Sequence, residues 1–288
     1  MWKWNFICWV LRNFTSRKLL MHRLLRLRET VERELERVGD RWITFNVRLK
    51  TPLPPVKIAT TAARVGVVIQ GKVMTHEDFT LRSVEHYRHT FPGCPIFVST
   101  WKDESRAVLE ALEKAGAVLL VNDAPELPGP THLNYQIRST LAGIEAARAA
   151  GCRYVLKTRT DARMYAPNIP DFLAGLIHQF PIRPGLSANG RLVILDWATR
   201  LFIPHHPADL MMFGYVEDIA RYWDVPLCES TEIVSRPTFT RFSELLNPLL
   251  PEVYLCRNYL RLLDYAFEPT IASWWQCLAD LFVVVDRT

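Results

Sequence analysis

Short apolar runs alternate with stretches of helical periodicity from Arg64 to Asp161. The segment RVGVVIQG (64–71) is an unbroken apolar run stopped by glycine, the pattern of a strand buried on both faces. Residues 75–90 set Phe79, Leu81, Val84 and Tyr87 at helical spacing, and CPIFVSTW (94–101) predicts a second strand. DESRAVLEALEKAG (103–116) combines strong helix formers with a glycine stop. AVLLVND (117–123) predicts a third strand, APELPGPT a loop, LNYQIRSTLAGIEAARAAG (133–151) a helix closed by Gly151, and RYVLKTRTD (153–161) a fourth strand. Strands alternating with helices imply right-handed crossovers and hence an α/β, Rossmann-like, mostly parallel sheet flanked by helices.

Downstream the pattern loosens. DFLAGLIHQF (171–180) predicts a helix. HHPADLMMFG (205–214) sets His205, His206 and Asp209 ahead of a strand-like Leu-Met-Met-Phe run, and Gly214 leads into a helix opened by Glu217 and Asp218. NPLLPEVYLCRNYL suits a helix begun by Pro251 with Glu252 in its first turn. Trp274 and Trp275 read as core rather than as an exposed stacking platform.

The N-terminal region is different in kind. Trp2, Trp4, Phe6, Ile7, Trp9, Val10, Leu11 and Phe14 form an aromatic cluster, followed by leucines mixed with Arg17, Lys18, Arg23, Arg26 and Arg28 at roughly helical spacing. Lys3, Asn5 and Arg12 interrupt the apolar run, which is too short to span a bilayer, and no small-residue cleavage site follows it. Residues 1–50 therefore predict a basic amphipathic helical arm suited to an anionic membrane surface. Pro52, Pro54 and Pro55 mark a linker (51–63) before a single domain (64–288), with a first half at 64–165 and a second at 166–288.

Charge supports that division. The chain of 288 residues carries a net charge of +5, yet residues 1–64 hold fourteen Lys/Arg against five Asp/Glu. The body is thus mildly acidic, which excludes a general nucleic-acid surface and leaves no nucleic-acid partner. At 49% hydrophobic the chain buries a sizeable core. Its six cysteines show no metal or redox spacing and read as reduced thiols of a cytosolic protein.

Polar residues gather at the carboxyl ends of the strands: Gln70 and Gly71, Ser99 and Thr100, Asn122 and Asp123, Arg159 to Asp161. Open α/β sheets bind ligands at that edge. There is no GxGxxG after the first strand and no GxxxxGK[ST], which excludes dinucleotide and P-loop readings. Period two puts Lys157, Arg159 and Asp161 on one side of the fourth strand. Unpaired charges are costly inside a sheet, so these are expected at a polar rim, the cations on phosphates and the carboxylate on a divalent ion.

VGVVIQG, PIFVSTW, NYQIRST, YVLKTRTDAR and HPADLMMFG, in this order over roughly residues 64–260, resemble the WavE lipopolysaccharide synthesis family of bacterial glycosyltransferase-like proteins. The resemblance implies a GT-A-like fold, in which the first strands build a nucleotide-sugar site. A short acidic motif after the fourth strand coordinates Mn²⁺ or Mg²⁺; here that position is Asp161. Arg159-Thr160-Asp161 supplies one acid where the motif has two, so Lys157, Arg159 or Arg163 are alternative carriers of positive charge and the divalent metal is optional. A metal shell completed by His205 or His206 is a further alternative.

Within that frame, Gln70, Gly71 and Asp123 are candidates for base and ribose. Asn134, Gln136, Arg138 and Ser139, near a helix start, are candidates for the nucleotide, with Arg138 reaching the diphosphate. Lys157 and Arg159 complete the donor set. Glycosyl transfer also needs a base for the acceptor hydroxyl; the candidates, in order, are Asp209, Glu252 and Asp218. The implied function moves a sugar from a nucleotide-sugar donor to a lipopolysaccharide-core, capsule or related glycan acceptor, lipid-linked or free, on the cytoplasmic face of the bacterial inner membrane. The alternatives are a sugar nucleotidyltransferase, for which Lys72 lacks the usual Gly-rich loop, and a membrane-associated scaffold on a degenerate transferase fold.

Overall fold

Residues 65–165, 169–231 and 248–286 are described by a computed structural model. The arm and linker expected at 1–63 lie outside the described residues.

Strand β1, Val65–Gln70, is buried at every position, as an apolar run without alternation requires. It pairs in parallel with β2, Ile96–Trp101, on one side and with β4, Tyr154–Arg159, on the other. Strand β3, Val118–Asn122, extends the parallel array beyond β2. The second half adds β5, Leu192–Leu195, β6, Met212–Tyr215, and β7, Phe282–Val285. The order is β3-β2-β1-β4-β6-β5-β7. Strand β6 runs antiparallel to both β4 and β5, and β5 is parallel to β7. The fold is thus the mostly parallel, helix-flanked α/β sheet expected, with one reversed strand in its second half.

Seven α-helices lie among the described residues: α1 Phe79–Thr90, α2 Arg106–Lys114, α3 Leu133–Ala149, α4 Ile169–Gln179, α5 Val216–Trp223, α6 Pro251–Leu262 and α7 Ile271–Leu281. The helix expected from residue 75 begins later. Glu77 and Asp78 have φ of 51° and 54°, and this left-handed turn uncouples a short 3₁₀ turn from α1. Thr80 fixes the junction, its hydroxyl accepting from the Met74 N–H and donating to the Thr160 carbonyl.

Alternate residues of β1 enter opposite layers. Val68 joins Val155, Ile137, Trp223 and Trp274 on the face covered by α3, α5, α6 and α7. Val67 and Ile69 join Val84, Tyr87, Leu156, Leu173 and Phe213 on the face covered by α1 and α4. Trp274 is fully buried, as expected of core, whereas Trp275 is half exposed.

Helix α3 approaches β1 so closely that a Cβ on Gly143 falls 2.4 Å from Val68 Cγ1. The atom met belongs to a valine, branched at Cβ and without a flexible end to swing aside, so helix and strand must shift to admit the methyl. Gly143→Ala is therefore expected to destabilise the domain by about 1–2 kcal/mol through overpacking, although alanine is the better helix former. A lowered urea midpoint at unchanged slope checks this; an unchanged or raised midpoint would show that the two elements separate freely.

Candidate active site

The reversed strand explains which residues meet. The carboxyl ends of β1, β2, β3 and β4 share one edge of the sheet, where Gln70 sits opposite Arg159. Because β6 is antiparallel, Met212 pairs with Lys157 and Tyr215 with Tyr154. The approach to β6, residues 205–211, therefore arrives at the carboxyl edge of β4, while the helix after β6 starts at the opposite edge.

A cleft of about 900 Å³ opens over β1 and β2, lined among others by Gln70, Gly71, Trp101, Pro125, Tyr135 and Gln136. Gly71 has φ of 124°, and a Cβ there would sit 2.9 Å from Thr160 Oγ1, so glycine lets β1 end flush against the turn after β4. Gln70 is fixed by the Ser139 hydroxyl, which donates to its Oε1 at 2.8 Å. Trp101 and Tyr135 meet edge to face at 4.7 Å and form an aromatic wall. Glu104 accepts from the Val73 N–H and the Thr100 hydroxyl, tying the turn after β1 to the end of β2. Lys72 and Lys102 also line the cleft and are paired with Asp103 and Asp123 respectively.

Gln70, Gly71 and Gln136 thus line the cleft, and Asp123 stands beside it, paired with Lys102. Two others hold its walls instead. Asn134 is 1% exposed. Its amide donates to the carbonyls of Leu127 and Cys228, and its oxygen accepts from the Cys228 N–H at 2.7 Å. Arg138 donates to the carbonyls of Asp123 and Ala124. Both tie loops together, and no polar atom of Asn134 is left for a nucleotide.

Beyond the cleft lies a charged cluster. Arg159 meets Asp161 in a two-point pair, Nε–Oδ1 2.8 Å and Nη2–Oδ2 2.7 Å. The guanidinium hydrogen bond holds the Asp161 carboxyl below its ordinary range and raises Arg159 in turn. Asp209 and Glu252 complete the acidic side. Asp209 is 4% exposed. Glu252, in the first turn of α6, keeps 23% of its side chain exposed, and its Oε2 lies 3.7 Å from His206 Nε2. Burial first, and the neighbouring Asp209 charge second, push Glu252 up to about 7. The free N–H groups and dipole of the helix start act the other way and are outweighed. Burial lowers His206, so that near neutrality its contact with Glu252 is not a charged pair.

The strand-end charges do not all reach the rim. Lys157 is completely buried. Its ammonium donates to the Asp209 carbonyl and stands 4.4 Å over the Trp223 ring. Burial lowers it to about 8. It is therefore a tie between β4 and the approach to β6, not a phosphate ligand; an acceptor and an aromatic face make an inward lysine tolerable. Arg163 is likewise engaged, donating to Ser83 Oγ and the Phe79 carbonyl at the start of α1.

Asp218 does not join the cluster. It sits at the opposite sheet edge, 1% exposed, and accepts from the N–H groups of Asn189 and Gly190 and from the Asn189 amide. These bonds restrain a carboxyl that burial otherwise raises. It organises the 189–190 loop. His205 is also turned away, packed against Phe267 and Trp274, with Nδ1 accepting from Arg257. Burial lowers it to about 4.

The residues present do not compose a ready metal site. A bound divalent ion needs several ligands converging on one point. Asp161 offers one carboxylate with both oxygens on Arg159. Among the described residues no three His, Cys, Asp or Glu side chains are grouped to hold an ion.

Sequence reasoning missed Trp223, which caps Lys157, and Glu104, which ties the turn after β1 to β2. It also missed Arg200, whose positive charge acts on both Glu252 and His206. Arg200 follows β5, a strand whose VIL core the chain pattern did not separate from its surroundings; recognising that strand would have pointed to the loop after it.

The model of a family described as WavE lipopolysaccharide synthesis matches residues 65–276. A comparison with curated protein sequences finds no match. Among solved structures, the chain is similar to glucosyl-3-phosphoglycerate synthase of M. tuberculosis, at 13% identity and a TM-score of 0.46 over 80% of this chain and 73% of that one. A complex of the same enzyme with Mn²⁺, uridine diphosphate and glucosyl-3-phosphoglycerate matches at 12% identity and 0.44, over 84% of this chain and 76% of that one. The 4-diphosphocytidyl-2C-methyl-D-erythritol synthase of Anaerococcus prevotii matches at 12% and 0.41, over 78% and 89%.

Proposed function

From the premise that this chain belongs to the WavE lipopolysaccharide synthesis family of GT-A-like glycosyltransferases, we propose that it transfers a sugar from a nucleotide-sugar donor to a lipopolysaccharide-core, capsule or related glycan, and that Glu252 is the base. The observation that carries this reading is the adjacency, at one sheet edge, of an aromatic-walled cleft and a cluster with an arginine and a carboxyl titrating near neutrality.

The donor's base and ribose lie in the cleft against Gln70, Gly71 and Gln136, and its diphosphate reaches the Arg159 end. Glu252 takes the proton of the acceptor hydroxyl as that oxygen attacks the anomeric carbon. The bond from that carbon to the phosphate oxygen breaks, and the nucleoside diphosphate leaves with the electron pair. Glu252 stands ahead of Asp209 because it retains solvent access and a basicity matched to neutral pH, whereas Asp209 is buried. The nucleotidyltransferase alternative finds no support at Lys72, which is exposed and paired with Asp103.

Among the described residues no helix is long and apolar enough to cross a membrane. Peripheral attachment to the inner face of the inner membrane, through the basic aromatic arm at 1–50, would bring the cleft to a lipid-linked acceptor.

A thermal-shift panel of nucleotide sugars tests the donor reading. The cognate donor at a hundredfold excess over its Kd adds about 2.7 kcal/mol of stability. Release of nucleoside diphosphate should then depend on added delipidated core oligosaccharide. A panel without a single shift would sink the transferase reading and leave the scaffold.

A further inference from the structure

The geometry points to a donor site that neutralises its diphosphate with an arginine in place of a divalent cation: Arg159, held on Asp161 in the free protein, passes to the phosphates of the bound nucleotide. This rests on the transferase reading above and adds the chemistry of its anion site.

Four observations carry it. Arg159 closes β4 directly opposite Gln70, and Gln70 lines the cleft, so an anion entering from the cleft meets this guanidinium at its inner end. The pair with Asp161 uses two parallel N–H···O contacts, and the guanidinium fork presents the same geometry to two phosphate oxygens. Both partners retain solvent access, at 31% and 42% of their side chains, so the exchange replaces one anion by another and leaves Asp161 free to hydrate. Asp161 already gives both carboxylate oxygens to the arginine, and among the described residues no three His, Cys, Asp or Glu side chains are grouped to hold a cation.

Asp161 then acts as a resting counter-ion. It keeps the Arg159 fork aligned while the site is empty and yields it when the more highly charged diphosphate arrives. Arginine and metal make opposite demands on Asp161. If the acid competes with the nucleotide for Arg159, its removal preserves or strengthens binding. If it ligates a metal, its removal abolishes binding.

The test is calorimetric titration of the full chain with UDP, GDP, ADP and CDP, in EDTA and again in Mn²⁺. For the nucleotide that binds, the two Kd values should agree within about threefold. Asp161→Asn should leave the Kd in EDTA unchanged or lower it, and Arg159→Met should raise it about tenfold or more, the loss of a charge-assisted hydrogen-bond pair. Binding that requires Mn²⁺ overturns the arginine site while leaving the transferase reading intact. Loss of binding in Asp161→Asn with retention in Arg159→Met overturns it equally. No binding by any nucleoside diphosphate in either condition overturns the transferase reading and this inference with it. The comparison of EDTA with Mn²⁺ on the unaltered protein decides the matter even if a variant fails to fold.

Discussion

Glu252→Gln is expected to lower kcat by about 10²–10⁴-fold, the range of a general base, while nucleotide affinity stays within about twofold. Glutamine keeps the size and the helix position of the side chain but cannot accept the acceptor's proton. Its pH behaviour makes the assignment specific. Burial and Asp209 raise the Glu252 carboxyl from 4.5 to about 7, and only the ionised form is a base. The rate of the native protein should therefore climb with pH and level off above about 7. Linkage gives the sign for stability. A carboxyl whose folded value is raised adds stability that is complete below 4.5 and disappears as pH rises through about 7. The native protein should lose melting temperature across that window, and the glutamine variant should lose less. Rate profiles and melting curves on both proteins check the two halves together. A glutamine variant of near-native kcat would shift the base to Asp209, and Asp209→Asn would then carry the full loss.

Asn134→Ala is expected to destabilise the domain by about 3–4 kcal/mol, and to do so without touching a catalytic group. Asn134 spends three hydrogen bonds on backbone, at Leu127 O, Cys228 O and Cys228 N. Alanine removes all three and strands the two Cys228 groups in the interior, and each stranded buried group costs about 1–3 kcal/mol. The loss falls on the loop before α3, whose Ala124, Pro125, Glu126 and Pro128 line the cleft. Donor affinity should weaken along with the urea midpoint. Asn134→Asp is the informative partner: it keeps the acceptor for the Cys228 N–H but places a carboxylate against two carbonyls. It should be at least as destabilising as alanine. A small effect of either variant would mean that water reaches these groups.

Much of the first half of the sheet was legible from residue order. An apolar run that stops at polar residues states that a strand is buried and where it emerges, and this placed Gln70, Gly71 and Arg159 at one edge. Gly151, at φ of 74°, closes α3 as its position in the sequence implied. The same periodicity misread Lys157. Alternation says which side of a strand a residue takes, and the expected penalty for a buried charge then assigned it to the rim. It carries no information on whether a carbonyl and a tryptophan ring from distant segments will meet the ammonium inside.

The choice among the three carboxylates lay entirely beyond the sequence. Asp209 and Asp218 flank the same strand, and nothing local to HPADLMMFGYVED states which way that strand runs. Once β6 enters the sheet antiparallel to β4, Asp209 is carried to the ligand edge and Asp218 to the opposite one. Glu252 reaches Asp209 only because α6 packs against α5 in the core beneath the sheet. The sequence by itself determined the alternation of strands and helices, the emergence of polar residues at strand ends and the separateness of the basic arm, because burial and backbone propensity act over a few neighbouring residues. The tertiary structure alone decided which acids join the charged cluster at the ligand edge, that Lys157 turns inward and that Arg159 rests on Asp161, because strand direction and the partners of a buried charge are fixed by contacts between segments far apart in the chain.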